Sequence, residues 1–301
     1  MKNKSETTKG YLEIFAAGAL WGCIGLFMQA MSNAGAGSGL ISLMRQGFGF
    51  LFIFPITLFM CGGIGSMKIK KKDLILFICM GLFSEAIFNL CYSSSVARVG
   101  VSTAAVLLYT APAFVAVMSR AAFDEPITSR KIIAIVINLL GCVFTVTNGD
   151  FSGINFAVMG VVFGVLAGFF YATITIIGKF VSEEVPAYVM CSYTFLFGFL
   201  FLVLFTRPWT LDYSILPWYA WPLGLGLGFL GTALPYVLYM DGLKKPVEAS
   251  KVPLVASVET VVAAILGVLA FHEAMGVMKI AGIVLIFVSI AIINSGNAEK
   301  K

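Results

Sequence analysis

Apolar runs of about 20 residues recur along the whole chain, separated by short polar linkers. A helix of that length crosses the hydrocarbon core of a bilayer. The alternating segments of about 10 residues that are typical of outer-membrane barrels are missing from the sequence. The pattern therefore predicts ten spans, at residues 11–31, 39–60, 74–96, 101–122, 131–148, 154–178, 187–206, 217–240, 249–271 and 277–295.

Composition agrees with an all-α polytopic membrane protein. Of the 301 residues, 59% are hydrophobic and 12% are charged, and the mean hydropathy is +0.97. A soluble domain carries about 25% charged residues. The six cysteines form no CxxC pair and His272 is the only histidine, so we expect neither a disulfide framework nor a His-based metal cluster. A GxxxxGK[ST] loop is absent from the sequence, and no cofactor is expected.

The basic residues predict the orientation. With the N-terminus inside, fifteen of the 20 lysines and arginines fall in inside segments. Only Arg98, Arg207 and Lys279 fall outside, and Arg45 and Lys251 fall within or at the edge of spans. Because cytoplasmic loops carry the excess of basic residues, both termini are expected in the cytoplasm of a cell-membrane protein. The net charge of +5 arises from these basic residues in short loops, so it does not indicate a nucleic-acid partner.

The second half of the chain resembles the first. Residues 121–132 align with residues 269–280 at a shift of 148, and residues 81–92 align with residues 228–239 at a shift of 147. A third match, near the start of each half, has a shift of 146. The common order and spacing of these matches indicate a duplication.

The duplication predicts two five-helix repeats, at residues 10–149 and 152–296. An odd number of spans per repeat gives the two halves opposite topology in the membrane. Such inverted repeats are typical of secondary transporters, which bind their substrates near the bilayer midplane between the halves. Alternating access follows if the two halves can exchange conformations.

These features resemble the drug/metabolite transporter superfamily, EamA type. The resemblance rests on the ten spans, the two repeats, Trp21–Gly22 in the first span, Arg45 in the second, and an acidic step after the fourth and ninth spans. It implies the ten-helix inverted-repeat fold and movement of small metabolites, often amino acids. The sequence departs from the family where a frequent Glu-Pro reads Glu259–Thr260, while the fourth span keeps Pro112.

Glu259 is the residue that most needs an explanation, because it is followed by twelve uncharged residues. An acidic side chain at the centre of a bilayer costs roughly 2.5–3.5 kcal/mol on an insertion scale. It is tolerated if it faces protein or water. We expect Glu259 either to bind a cationic group of the substrate or to titrate during transport.

Arg45 lies about two turns from the outer end of the second span. It could extend to the outer surface, pair with Glu85 or Glu259, or bind a substrate carboxylate through its planar guanidinium. Glu85 shares a helical face with Asn89 and Tyr92, and their counterparts in the eighth span are Thr232, Tyr236 and Tyr239. This matched polar stripe either lines a central cavity or holds the bundle together by interhelical hydrogen bonds.

The remaining candidates are aromatic or small. Trp21, Tyr109 and Tyr171 are candidate cavity residues. For the glycines of the first span, close helix packing is favoured over substrate contact. At the ends of the fourth and ninth spans, Glu125 and Glu273 are expected to be solvated helix-end residues.

The sequence thus predicts a secondary transporter of a small polar metabolite, with an amino acid favoured and export suggested by the resemblance alone. A carrier of organic anions or drug-like amines on the same fold is the alternative. A membrane-embedded enzyme is a remote alternative, since its catalytic cluster is missing. Partners are the substrate and the lipid bilayer. Proton coupling stays open, as does the choice between monomer and dimer.

Overall fold

The computed structural model describes residues 2–152, 157–211, 213 and 216–295. The described residues contain ten helices long and apolar enough to cross a membrane, which confirms the predicted all-α fold. We number them α1 to α10, and they cover Lys4–Asn33, Ser38–Cys61, Lys71–Val99, Val101–Phe123, Ser129–Thr147, Val158–Phe180, Ala187–Thr210, Ala220–Lys244, Ala249–Phe271 and Val277–Ser295.

The helix ends follow the sequence closely, with one exception at the start. Helix α1 begins well before residue 11, because Lys4, Glu6 and Lys9 continue the helix without contributing an apolar signal. The predicted start of the sixth span at 154 and the predicted end of the second repeat at 296 lie outside the described residues. Since ten is an even number, the start of α1 and the end of α10 lie at one end of the bundle, which we call the termini end; the other is the opposite end.

Helices α3 and α8 contain π-helical segments at corresponding positions. These are Met80–Ile87 in α3 and Phe229–Ala233 in α8. Glu85 lies in the first segment, and Thr232, its counterpart at a shift of 147, lies in the second. Because π-helical turns are rare and concentrate at functional sites, both residues gain interest as site residues.

Helices α4 and α9 are each interrupted near their middle. In α4 the interruption at Tyr109–Thr110 has a covalent cause, since Pro112 cannot donate a backbone hydrogen bond. In α9 the helix is interrupted at Ser257 although Thr260 replaces the proline. Asn138 of α5 supplies a tertiary contact there, donating from Nδ2 to Ser257 Oγ at 2.7 Å.

The segments after α4 and α9 have the same backbone geometry. Asp124 and His272, 148 positions apart, both adopt the left-handed conformation, with φ of 54° and 56°. The following glutamates fold back in the same way. Glu125 N donates to Ser119 O at 3.4 Å, and Glu273 N donates to its counterpart, Gly267 O, at 3.3 Å. These matched turns support the two-repeat interpretation.

Glycines let α1 approach α9 closely. A Cβ built on Gly18 would lie 2.4 Å from Ala256 O, and one on Gly22 would lie 2.8 Å from Glu259 O. Gly25, one turn further along, has open space beside it. The packing role favoured from the sequence therefore fits Gly18 and Gly22, and α1 holds the backbone of Glu259 in place.

Candidate functional site

Glu85 is buried and is bonded to a neighbouring amide. Gln46 Nε2 of α2 donates to Glu85 Oε2. Glu85 Oε1 and Gln46 Oε1 are both buried and find no hydrogen-bond partner in the described part of the chain. The Tyr236 hydroxyl lies beside the same carboxyl group. Two buried acceptor oxygens therefore lie in the site without a bonded donor, and the Tyr236 hydroxyl is the nearby group that could supply one.

Arg45 is half-buried and reaches into the bundle. Its Nε donates to Thr232 Oγ1 in the π-helical segment of α8, at 3.3 Å. Its charge acts on both Glu85 and Glu259. Within the described residues, neither carboxylate lies within 4 Å of the guanidinium as an ion pair. Arg45 is thus near both acids without contacting either.

Glu259 is half-buried and lies among tyrosines. Its charge acts on the hydroxyls of four of them, from α3, α4, α6 and α8: Tyr92, Tyr109, Tyr171 and Tyr239. The side chain accordingly faces the interior of the bundle, as its position in an apolar run requires.

Trp21 is the centre of an aromatic cluster between the two halves. Its ring centroid lies 6.5 Å from that of Tyr171, 5.3 Å from that of Tyr236 and 5.0 Å from that of Tyr239. Tyr239 also shares a 2.6 Å hydrogen bond with Thr175 Oγ1. Trp21 Nε1 is buried and has no acceptor among the described residues. The cluster therefore contains an unused donor.

Asn89 makes two bonds inside the protein. Its Oδ1 accepts from Ser42 Oγ at 3.1 Å, and its Nδ2 donates to the carbonyl of Glu85 at 2.6 Å. Both ends of the amide are occupied, so this geometry favours the alternative in which Asn89 joins α2 to α3.

The ten candidate residues divide by accessibility. Half of them are partly exposed, namely Arg45, Tyr92, Tyr109, Tyr171 and Glu259, and of these Tyr109 lines the cavity described below. The other half are buried and support them, namely Trp21, Glu85, Asn89, Tyr236 and Tyr239.

A cavity of about 560 Å³ leads inward from the opposite end of the bundle. At its mouth lie Asn33, Val101 and Phe271, which end or begin their helices. Its inner wall includes Tyr109 and Thr260. From Val101 to Tyr109 is eight residues, which spans about 12 Å along a helix. The cavity therefore reaches the neighbourhood of Glu259.

Glu125 has a role that its position in the sequence does not reveal. It was expected to be solvated, but only 14% of its side-chain surface is exposed. Its carboxylate accepts hydrogen bonds from Ala249 N at 2.6 Å, Ser250 N at 3.0 Å and Ser250 Oγ at 2.5 Å. The expectation was wrong because the start of α9 packs against this turn. Gln46 was also missed, although a lone glutamine inside an apolar span was a usable signal.

Comparison with known proteins gives the family. The profile of the "EamA-like transporter family" matches residues 8–147 and 158–295. An "Uncharacterized transporter" of Archaeoglobus fulgidus is 25% identical over 94% of this chain and 95% of its own length. The "Uncharacterized inner membrane transporter YicL" of Salmonella typhimurium is 21% identical over 98% of each chain.

A solved crystal structure has the same fold. It superimposes with a TM-score of 0.79 at 16% identity, covering 99% of this chain and 100% of that chain. The family match and the transporter relatives confirm a transporter rather than an enzyme. The chain belongs to the EamA-like transporter family of the drug/metabolite transporter superfamily, and it is a multi-pass membrane transporter.

Proposed function

We propose that the protein moves a small zwitterion, with an amino acid as the leading candidate, across the cytoplasmic membrane by alternating access. One observation carries the proposal: Arg45 and Glu259 are both partly exposed, and the Arg45 charge acts on Glu259 although the two form no ion pair in the described part of the chain. The termini end is the cytoplasmic end in this proposal, as the distribution of basic residues indicates. Export rests on the family resemblance alone.

Arg45 is the proposed binding group for a carboxylate. Its one hydrogen bond to a described residue uses Nε, which leaves the two terminal nitrogens to donate elsewhere. A guanidinium can form two parallel hydrogen bonds to a carboxylate. The bond to Thr232 would fix the plane of the group before the substrate arrives.

Glu259 is the proposed binding group for the ammonium end. A carboxylate without a contact ion pair is available to a substrate cation, and the surrounding tyrosines add aromatic faces that favour a cation. Trp21 Nε1, which has no acceptor in the described chain, adds a donor beside the same cluster. Opposite charges at two separate points suit a zwitterion better than a simple amine or acid.

Glu85 is the proposed proton site. A proton on Glu85 Oε1 turns this unpartnered acceptor into a donor, in a place that holds a second unpartnered acceptor, Gln46 Oε1. With Glu85 neutral, Arg45 and Glu259 balance each other, as a zwitterion requires. Release of the proton would then unbalance the site, which is a physical route to proton coupling.

The test is transport by purified protein in liposomes. Vesicles loaded with one unlabelled amino acid should accumulate the same labelled amino acid by exchange, and Glu259→Gln should reduce that exchange at least tenfold. Asp150→Asn, an exposed acid in the linker after α5, is the matched control and should keep full exchange. Full exchange by Glu259→Gln at every pH tested would refute the proposed role of this carboxylate. Exchange of amines alone, or of organic acids alone, would show that the substrate belongs to that class and not to the amino acids.

A further inference from the structure

Glu125 joins two helices at the termini end of the bundle. Through the three hydrogen bonds described above, the Glu125 carboxylate joins the end of α4 to the first residues of α9. Ala249, the first residue of α9, is 0% exposed there. Free backbone N–H groups at the start of a helix favour a carboxylate, so this contact satisfies donors that otherwise need water.

At the opposite end, within the described residues, the counterpart of Glu125 is not hydrogen-bonded to the counterparts of Ala249 and Ser250. At a shift of 148, Glu273 corresponds to Glu125, Val101 to Ala249 and Ser102 to Ser250. Glu273 is 51% exposed and pairs with Lys279 at 2.9 Å. Val101 is 64% exposed, whereas its counterpart Ala249 is fully buried. Glu273, Val101 and Ser102 all line the 560 Å³ cavity. The same set of residues is therefore joined at one end of the molecule and separated by a cavity at the other.

We propose that Glu125 and Glu273 are alternating gate residues. In the conformation described, Glu125 closes the termini end and the opposite end is open. In the reverse conformation, Glu273 accepts hydrogen bonds from Val101 N, Ser102 N and Ser102 Oγ, while the contact of Glu125 with α9 is broken. The proposal rests on the alternating access proposed above, and it assigns the two residues that stabilise its end states.

The ionic contacts at the two gates differ, and this difference sets the resting preference. At the termini end, Glu248 pairs with Lys131 at 2.9 Å and with Lys251 at 2.7 Å. The counterpart of Glu248 is Gly100, which has no side chain to form such pairs. The closed termini end therefore has ionic contacts that the closed opposite end would lack. The protein should rest with its termini end closed when no substrate is present.

The experiment measures access to each gate without any substrate. In a background with the six native cysteines replaced, Ala249→Cys and Val101→Cys serve as separate reporters. Neither side chain takes part in the gate contacts, which use backbone N–H groups at these positions. The rate of labelling by a bulky, membrane-impermeant maleimide is measured on purified protein. The Val101→Cys reporter should label at least tenfold faster than the Ala249→Cys reporter.

Substitution of Glu125 should move the two reporters in opposite directions, whereas substitution of Glu273 should not open the termini end. Glu125→Gln should speed labelling at Ala249→Cys and slow it at Val101→Cys, because opening one gate permits the other to close. Glu273→Gln should leave labelling at Ala249→Cys as slow as before or slower. The neighbouring changes Asp124→Asn and His272→Gln are the controls and should alter neither rate.

The proposal is overturned if Glu125→Gln speeds labelling at Ala249→Cys and leaves Val101→Cys unchanged, since Glu125 is then only a local cap. It is also overturned if Glu125→Gln changes neither rate. Because no substrate is added, these outcomes are independent of whether an amino acid is the substrate. Failure of the substrate proposal would show as lost exchange with the gating pattern intact.

Discussion

The contact between α1 and α9 can be tested by adding one methyl group. In Gly18→Ala, the new Cβ would lie 2.4 Å from Ala256 O, whereas ordinary contacts begin at 3.4 Å. The helices must therefore separate by about 1 Å. Because the obstructing atom belongs to the backbone, no side-chain rotation can relieve the clash.

The expected loss follows from two opposing effects. Overpacking a well-packed interior costs typically about 1–3 kcal/mol, and a rigid backbone obstacle favours the upper end of that range. Alanine in place of glycine favours the helix by about 1 kcal/mol. The net loss for Gly18→Ala is therefore about 2 kcal/mol. By the scaling for soluble domains of 150–250 residues, this lowers the melting temperature by roughly 4–8 °C.

The assay is thermal unfolding of the detergent-purified protein, followed by tryptophan fluorescence. Gly25→Ala is the matched control, because a Cβ there meets nothing within 4 Å. It should unfold at the wild-type temperature or slightly above it. Equal melting temperatures for Gly18→Ala and Gly25→Ala would show that α1 does not pack against α9 as described.

Three further predictions concern polar groups. Glu85→Gln should remove the dependence of exchange on an imposed pH gradient while substrate binding persists; an unchanged gradient dependence would place the proton elsewhere. Asn138→Leu removes the bond to Ser257 and a second bond to Ser289 Oγ at 2.9 Å, and since buried side-chain bonds in membrane proteins average about 0.6 kcal/mol each, the melting temperature should fall by a few degrees. Burial raises the pKa of Glu248, but its lysine partners Lys251 and Lys131 outweigh burial and leave the pKa below 4.5. The contribution of Glu248 to the stability of the closed termini end is therefore complete above pH 4.5 and is lost as the pH falls further. At each pH, the labelling rate at Ala249→Cys is divided by the rate for the same thiol in denatured protein, because maleimide reacts with the thiolate and slows as the pH falls. This ratio should accordingly rise only in that acidic range, and a rise near neutral pH would implicate another group.

The positions of the spans could be read from the sequence because they depend on a local property. A helix crossing the bilayer must carry its apolar residues in one continuous run, and the ten runs are visible without knowledge of their neighbours. The start of α1 was placed too late for the same reason, since Lys4 and Glu6 extend a helix beyond its apolar part.

The candidate residues could be found because charge is rare inside a membrane. Arg45, Glu85 and Glu259 were identifiable from that rarity alone. Their partners were not identifiable, since the contact of Glu85 with Gln46 depends on how α2 packs on α3. Likewise, the π-helical turn that brings Thr232 to Arg45 cannot be recognised from the spacing of apolar and polar residues in the sequence.

Glu125 shows a limit of a different kind. Its sequence position after α4, between Asp124 and Pro126, is that of an ordinary solvated turn, and its counterpart Glu273 is indeed half exposed. What distinguishes Glu125 is the approach of α9 at one end of the molecule only. Two residues with equivalent sequence positions thus have different surroundings, because the start of α9 contacts Glu125 whereas Glu273 pairs with Lys279.

The central claim, that one site binds both charges of a zwitterion, is tested most directly by ligand-induced thermal stabilisation. Purified protein is heated with an amino acid, with the amine that lacks its carboxylate, and with the acid that lacks its amine. A ligand that binds only the folded protein must raise its melting temperature. The account predicts stabilisation of the wild type by the amino acid alone, loss of that effect in Arg45→Gln, and loss of it in Glu259→Gln. Equal stabilisation of wild type and both variants would contradict it.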